Sequence, residues 1–302
     1  MKVITPDYYK KFACIAGDCK HSCCIGWEID IDSSTFKYYK TVGGDFGHHI
    51  IDNIYADENS QYFVLSDDER CPFLNKYNLC DIIIQLGEDK LCQICADHPR
   101  YRNFFSDRTE MGVGLCCEAA AKLILQNEGI TTFIEFENDG HDSLTNQEEQ
   151  EFFGFREQLF NIIQNRSRTV AERVQEMLEV CGITLKRKMP FEWVKIYLGL
   201  EHLDTEWTYR LKSLMPSNDV PYTEHETAAE QLLIYFLYRH LADGLYDGSI
   251  NQRIAFAVHA VYMICLLSGK GHSIYDLTET ARMYSAEIEY SEENMAALLK
   301  MM

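Results

Sequence analysis

The sequence predicts a mainly α protein in two parts: a small Cys-rich α+β metal-binding module over residues 1–140 and an α-helical domain over 141–302. Three observations carry that reading. Ten of the twelve cysteines fall within the first 117 residues. The same region shows short strand-like alternations and many turn signals. Beyond the polar stretch NDGHDSLTNQE at 138–148, read as a linker from its composition, apolar residues recur at helical spacing almost to the C-terminus. A chain of 302 residues is long enough to bury a sizeable core.

Taken in order, Trp27-Glu28-Ile29-Asp30-Ile31-Asp32 alternates apolar and acidic side chains, as a half-buried strand does. Tyr62-Phe63-Val64-Leu65 and Ile82-Ile83-Ile84 are short strand candidates. Leu86-Gly87-Glu88-Asp89 is a turn candidate that brings Cys80 back toward Cys92. Cys117 opens an expected helix, CEAAAKLILQNEG, with Gly129 as its stop. Phe152, Phe155, Leu159 and Ile162 then mark a helical face. Thr169 with Glu172 forms a capping-box signal, and Gly182 ends that helix. Pro190 opens the next one, which carries Trp193, Ile196 and Leu200. Thr223 with Glu226 starts a long segment, ETAAEQLLIYFLYRHLADG. Residues 250–268 are apolar nearly all round, as a central helix would be, and a last helical pattern runs from about Ser273 to the end.

The net charge is −19, with 13 basic and 23 acidic residues before position 141 and 15 and 24 after it. This global acidity argues against nucleic acid, whose phosphates are held by clustered Lys and Arg. It favours solubility and mildly attracts a lysine-bearing protein. The N-terminus MKVITPDYYKKFACIAGD has no apolar run of the kind a secretory leader carries. The longest apolar stretch, 254–267, contains His259 and is shorter than the ~20 residues that span a bilayer. The expectation is a cytoplasmic chain with no membrane partner. In a reducing compartment dense cysteines are metal ligands or catalytic thiols, with a disulfide framework as the alternative if a leader has been removed.

The cysteines are spaced Cys14-x4-Cys19-x3-Cys23-Cys24, then Cys71-x8-Cys80-x11-Cys92-x2-Cys95, then Cys116-Cys117. A Cys-x2-Cys pair can chelate one metal within a single turn, and it gains weight when further thiols converge on it. Adjacent cysteines point in different directions, so Cys23 and Cys24 are expected to serve different partners. Zinc and a [4Fe–4S] cluster each take four such ligands, and spacing alone leaves both open. The triplet Cys-x3-Cys-x2-Cys of radical enzymes is not met, because Gly26 stands at its third position. No Gly-x-Gly-x-x-Gly follows a strand, so the usual nucleotide-binding loop is not visible.

Three blocks, FACIAGDCKHSCCIGWEIDID, CPFLNKYNLCDIIIQLGEDKLCQICADHPR and GLCCEAAAKLIL, resemble the signature blocks of the flagellin lysine-N-methylases. These belong to a wider group with the CxxxCxxCC-type zinc- or iron-chelating domain, and the resemblance covers roughly residues 3–128. It implies a protein lysine N-methyltransferase that uses S-adenosylmethionine as donor and a Cys-ligated [4Fe–4S] cluster, with zinc as the alternative metal. The implied substrate is the lysine side chains of flagellin or a similar protein. The cysteines that match family positions are Cys14, Cys19, Cys23, Cys24, Cys71, Cys80, Cys92, Cys95 and Cys117. Cys116 is additional, and the third block departs from the Ser-Cys-Pro-Glu of the family.

With such a donor, Arg100 is a candidate partner for its carboxylate, and Trp27 for its adenine. A structural ion pair and core packing are the respective alternatives. Glu28, Asp30 and Asp97 are candidate proton acceptors, and His21 and His98 are candidate extra ligands. Cys181, Cys265 and His259 lie on apolar helical faces and are read as core side chains. Two other functions stay open: another iron–sulfur or redox enzyme on the same module, and a non-enzymatic zinc- or iron-binding interaction protein.

Overall fold

A computed structural model describes residues 1–302 except 141–145, 186, 187, 215–224, 270 and 272. The chain is mainly α with a small sheet region. In chain order the elements are β1 (Lys2–Pro6), α1 (Ser33–Tyr39), α2 (Gly44–Asp52), β2 (Ile54–Ala56), β3 (Gln61–Phe63), α3 (Asp81–Leu86), α4 (Gln93–Asp97), β4 (Arg100–Phe104), β5 (Arg108–Val113), α5 (Glu118–Leu125) and β6 (Phe133–Asn138). Helices follow: α6 (Gln147–Ile163), α7 (Val170–Val180), α8 (Pro190–Tyr197), α9 (Thr205–Ser213), α10 (Glu226–Asp247), α11 (Ile250–Ser268), α12 (Ile274–Tyr284) and α13 (Glu292–Leu299). A π-helical turn, Ser285–Glu289, separates the last two.

Two compact units result. One is Ala13–Arg100; the other combines Met1–Phe12 with Tyr101–Met302. The division expected at residue 140 follows composition, whereas the units follow packing. β1 pairs in parallel with β5 and antiparallel with β6, in a sheet ordered β4-β5-β1-β6. The first residues and the segment 101–140 therefore pack with the helices, and only 13–100 stands as the Cys-rich body.

In the larger unit, α10 and α11 are buried on nearly all sides, which accounts for their lack of a polar face. Their turn closes at Gly248 (φ 74°), and Gly244 lets Ile250 approach so near that a Cβ there would stand 2.9 Å from its backbone. The α10 hydroxyl of Tyr238 donates to the carbonyl of Ile4 on β1 (2.9 Å), tying helix to sheet. α11 is long and apolar enough to cross a membrane, yet most of it is packed inside this core. The capping box at Thr169 and Glu172 forms as expected, and Pro190 starts α8. Thr223, the expected start of the long segment, lies outside the described residues.

Several buried charges in this unit are paired. Arg156 meets Glu110 at both oxygens, and Glu230 receives Arg173 and Arg166. Glu289, at the end of the π-helical turn, accepts from Tyr235 (3.0 Å) and His240 (2.5 Å) and lies 3.4 Å from Arg239. Burial acts to raise its carboxyl pKa, but Arg239 and His240 hold it below the ordinary value.

In Ala13–Arg100 the core is small: Ile29, Ile31, Tyr39, Ile50, Phe63, Cys71, Phe73, Leu74, Ile82 and Cys92. Ile29 and Ile31 point inward as their alternation predicts, but they join the β2–β3 hairpin through a single bridge, Asp30 with Tyr62, and not through a full strand. The strand expected over 62–65 ends at Phe63. Ile82-Ile83-Ile84 is not a strand. Asp81 opens the helix α3 there, and only Ile82 is buried while Ile83 and Ile84 face solvent. The α5 helix stops at Leu125, short of Gly129, whose carbonyl instead accepts from Arg166 and Gln231.

Candidate functional site

Five cysteines gather on the core of the smaller unit. Cys71 and Cys92 are in it, and Cys24, Cys80 and Cys95 pack against it. Local backbone pairing brings them there. The Gly26 amide donates to the carbonyl of Glu69 (3.0 Å) and the Cys71 amide to that of Cys24 (2.8 Å), so those two cysteines lie on adjacent backbones. Cys80 returns to Cys71 through a turn built on Asn75. The Asn75 side chain accepts from the amides of Tyr77 and Leu79 and donates to Asp81, and Leu74 bridges to Cys80. Gly87 (φ 100°) then turns the chain out of α3 through the short 3-10 stretch Glu88–Lys90. Cys92 precedes α4 and Cys95 lies within it, one helical turn apart.

The sulfurs sense one another. Burial pushes the Cys71 thiol up to about 12, with Cys24, Cys80 and Cys92 adding to the effect. Burial also raises Cys80. The hydrogen bond between Cys92 and Cys95 holds Cys92 down and pushes Cys95 far up. A hydrogen bond from Cys23 leads the effects that bring Cys24 down to about 7, helped by Ser22 and Arg70 against the opposing effect of burial. None of the twelve cysteines is in a disulfide. The donors are thus buried or half-buried free thiols, the soft-ligand chemistry that zinc and iron–sulfur centres require. Among the described residues no group of three or more His, Cys, Asp or Glu side chains is arranged to hold a metal ion.

The other expected ligands divide. Cys14, Cys19 and Cys23 sit on the first loop, outside the shared core. The Cys14 sulfur accepts from the amide of Ala16 (3.3 Å), and the Cys19 thiol donates to the carbonyl of His21 (3.3 Å). Cys117 belongs to the larger unit, where it precedes α5 and packs on that unit's core. Its neighbour Cys116 is half-buried beside Tyr290, Arg239 and Glu289, and desolvation pushes its thiol up to about 12. Cys265 is buried in α11 and Cys181 is half-buried at the end of α7.

Trp27 is half-buried. Its indole N–H donates to the carbonyl of Cys23 (2.6 Å), and its ring lies 6.1 Å from that of His98. It therefore fixes the Cys23-Cys24 backbone as well as packing on the core. The Arg100 guanidinium donates to the carbonyl of Ala96 (3.3 Å), at the end of the helix that carries Cys95. Asp97 accepts from Gln93 (2.7 Å), and Glu28 and Asp30 are exposed. Two residues that the sequence did not single out for the site hold the α4 segment. The Asp32 carboxylate accepts from the amide of Gln93 (2.9 Å), and the Tyr39 hydroxyl donates to the carbonyl of Lys90 (2.9 Å). The Asp32-Ser-Ser-Thr35 string is a helix-cap signal that could have identified the first of them.

No protein-family model and no solved structure matches the chain. Curated proteins do. The chain is 28% identical over 141 residues to the lysine-N-methylases of Salmonella typhimurium and Salmonella choleraesuis. The match covers 42% of this chain and 34% of theirs, so the chain spans about a third of the length of those relatives. The flagellar biosynthetic protein FliU of Salmonella muenchen is also 28% identical over 141 residues, with 80% of its length covered. Over less than half of its length, the chain is thus similar to proteins named lysine-N-methylase and to a flagellar biosynthetic protein.

Proposed function

We propose that the chain is a protein lysine N-methyltransferase that takes its methyl group from S-adenosylmethionine and carries a Cys-held [4Fe–4S] cluster. The observation that carries the reading is the gathering of Cys24, Cys71, Cys80, Cys92 and Cys95 on one small core, in a chain similar to proteins named lysine-N-methylase. These five thiols are the proposed ligand pool, with Cys14, Cys19, Cys23 and Cys117 as further family positions. When bound, the cluster supplies a cationic iron that can hold a carboxylate or amine of the donor.

Methyl transfer asks three things of the protein. The lysine amine must lose its proton, since a free lysine titrates near 10.4 and its ammonium has no lone pair. The amine nitrogen must sit in line with the methyl carbon and the sulfonium sulfur. The N–C bond then forms as the C–S bond breaks, S-adenosylhomocysteine leaves, and the amine proton passes to a carboxylate or water. Arg100 and Trp27 are proposed to orient the donor, and Glu28, Asp30 or Asp97 to take the proton. The acidic surface would draw in a lysine-bearing protein such as flagellin. A second reading, a zinc-stapled interaction module, is favoured by the size of the Cys-containing core, which matches what a structural metal stabilises.

Anaerobic purification with iron, sulfide and zinc quantification tests both readings. About four iron and four sulfide per chain, followed by donor-dependent methylation of protein lysines seen by mass spectrometry, supports the methylase. Zinc without sulfide and no methyl transfer supports the module and overturns the enzyme.

A further inference from the structure

We propose that Asp32 is a positioning residue for the Cys92–Cys95 pair, an inference that rests on the reading of these thiols as metal ligands. One Asp32 oxygen accepts from the Thr35 amide (3.0 Å) and the Ser34 hydroxyl, which caps α1. The other accepts from the Thr35 hydroxyl (2.8 Å) and from the amide of Gln93 (2.9 Å), 61 residues away. Gln93 is the residue between Cys92 and the turn that carries Cys95, and Cys92 itself supplies no cap hydrogen bond to α4. A carboxylate from another helix thus pins the backbone of the cysteine pair. Tyr39, the last residue of α1, holds Lys90 from the other end.

The dimensions agree. From Asp32 to Tyr39 the helix rises about 10 Å. Leu91 and Cys92 are extended (ψ 148° and 154°), so Lys90 to Gln93 spans about 9 Å. α1 is therefore a splint whose two ends meet the two ends of the segment leading into the pair. Loss of the Gln93 contact frees Cys92 to shift, and a shift of under 1 Å is enough to spoil metal–thiolate geometry.

The test uses the full-length chain with cobalt(II) as the probe, read by thiolate-to-cobalt charge-transfer absorption. Asp32→Ala is expected to weaken cobalt affinity at least tenfold and to change the band shape at saturating cobalt. Ser34→Ala, which removes only a contact local to α1, is expected to keep both. A substitution that merely destabilises the fold lowers the melting temperature but leaves the saturated spectrum unchanged. An Asp32→Ala protein with wild-type affinity and spectrum overturns the inference. If that variant does not fold, Asp32→Asn decides on the same two readouts, since it keeps the shape and weakens the acceptor. No cobalt–thiolate band in the wild type, together with no iron or sulfide in the anaerobically purified chain, would instead sink the metal reading.

Discussion

His259 should make the helical unit acid-sensitive in a way one substitution removes. It is 6% exposed on α11, and its ring is 3.9 Å from Trp193, 5.9 Å from Tyr197 and 6.3 Å from Tyr262. Its Nε2 has no hydrogen-bond partner among the described residues. Burial first, then the nearby Lys188 ammonium over the Trp193 ring, lowers its pKa from 6.5 to about 3. The tyrosines are pushed up and do not titrate in that range. Because the folded value lies below the unfolded one, the unfolded chain binds the extra proton between pH 6.5 and 3, and stability falls as pH falls through that window. Each unit is worth about 1.4 kcal/mol, so the loss between pH 6.5 and 4.5 is about 3 kcal/mol. Urea unfolding followed by circular dichroism at pH 7 and pH 4.5 measures it. His259→Phe should lose about 3 kcal/mol less than wild type across that interval. Carboxylates such as Glu289 also lose stability on acidification, but equally in both proteins, so they cancel. Parallel losses in wild type and variant would refute the reasoning.

Three further outcomes are expected. Glu289→Gln strips Arg239 and His240 of their buried partner and should cost about 3–5 kcal/mol in denaturant unfolding. Gly87→Ala forces a side chain onto a φ of 100° with its Cβ 2.9 Å from Asp89, and should cost about 1–3 kcal/mol by the same assay. Cys92→Ser should remove more than half the metal bound per chain, measured by atomic emission, whereas Cys265→Ser, buried in α11, should leave it unchanged.

The helical half was legible because its signals are local. Thr169 and Glu172 cap one another within a single turn, and Pro190 suits a helix start wherever it stands. What escaped was non-local or short. Nothing near Lys2 announces its pairing with Arg108 or Asn138, so the packing of Met1–Phe12 with Tyr101–Met302 could not be read from composition. Three consecutive isoleucines fit a strand or a helix equally, and only the burial of Ile82 with exposure of its neighbours separates the two. Asp32 completes an alternating pattern in sequence and caps two helices in space. The cysteine blocks were plain, but their adjacency in family order concealed that Cys117 packs in the larger unit.

The smaller unit carries a consequence of its composition. Its 88 residues, 13 to 100, bury only ten side chains in its core, and two of those are the thiols Cys71 and Cys92. Its longest helix, α2, has nine residues, too short to be stable alone. A core of that size supplies little margin, and a bound metal is one way in which a small core is reinforced. No disulfide is present to do so. Metal stripped from the full-length chain should therefore loosen this unit selectively. Limited proteolysis with mass mapping should show the first cuts within 13–100, slowed at least tenfold when metal is restored. The helical unit, with α10 and α11 buried through most of their length, should resist in both states. First cuts inside α10 or α11, or equal rates with and without metal, would show that the thiols pack as ordinary core side chains and hold nothing.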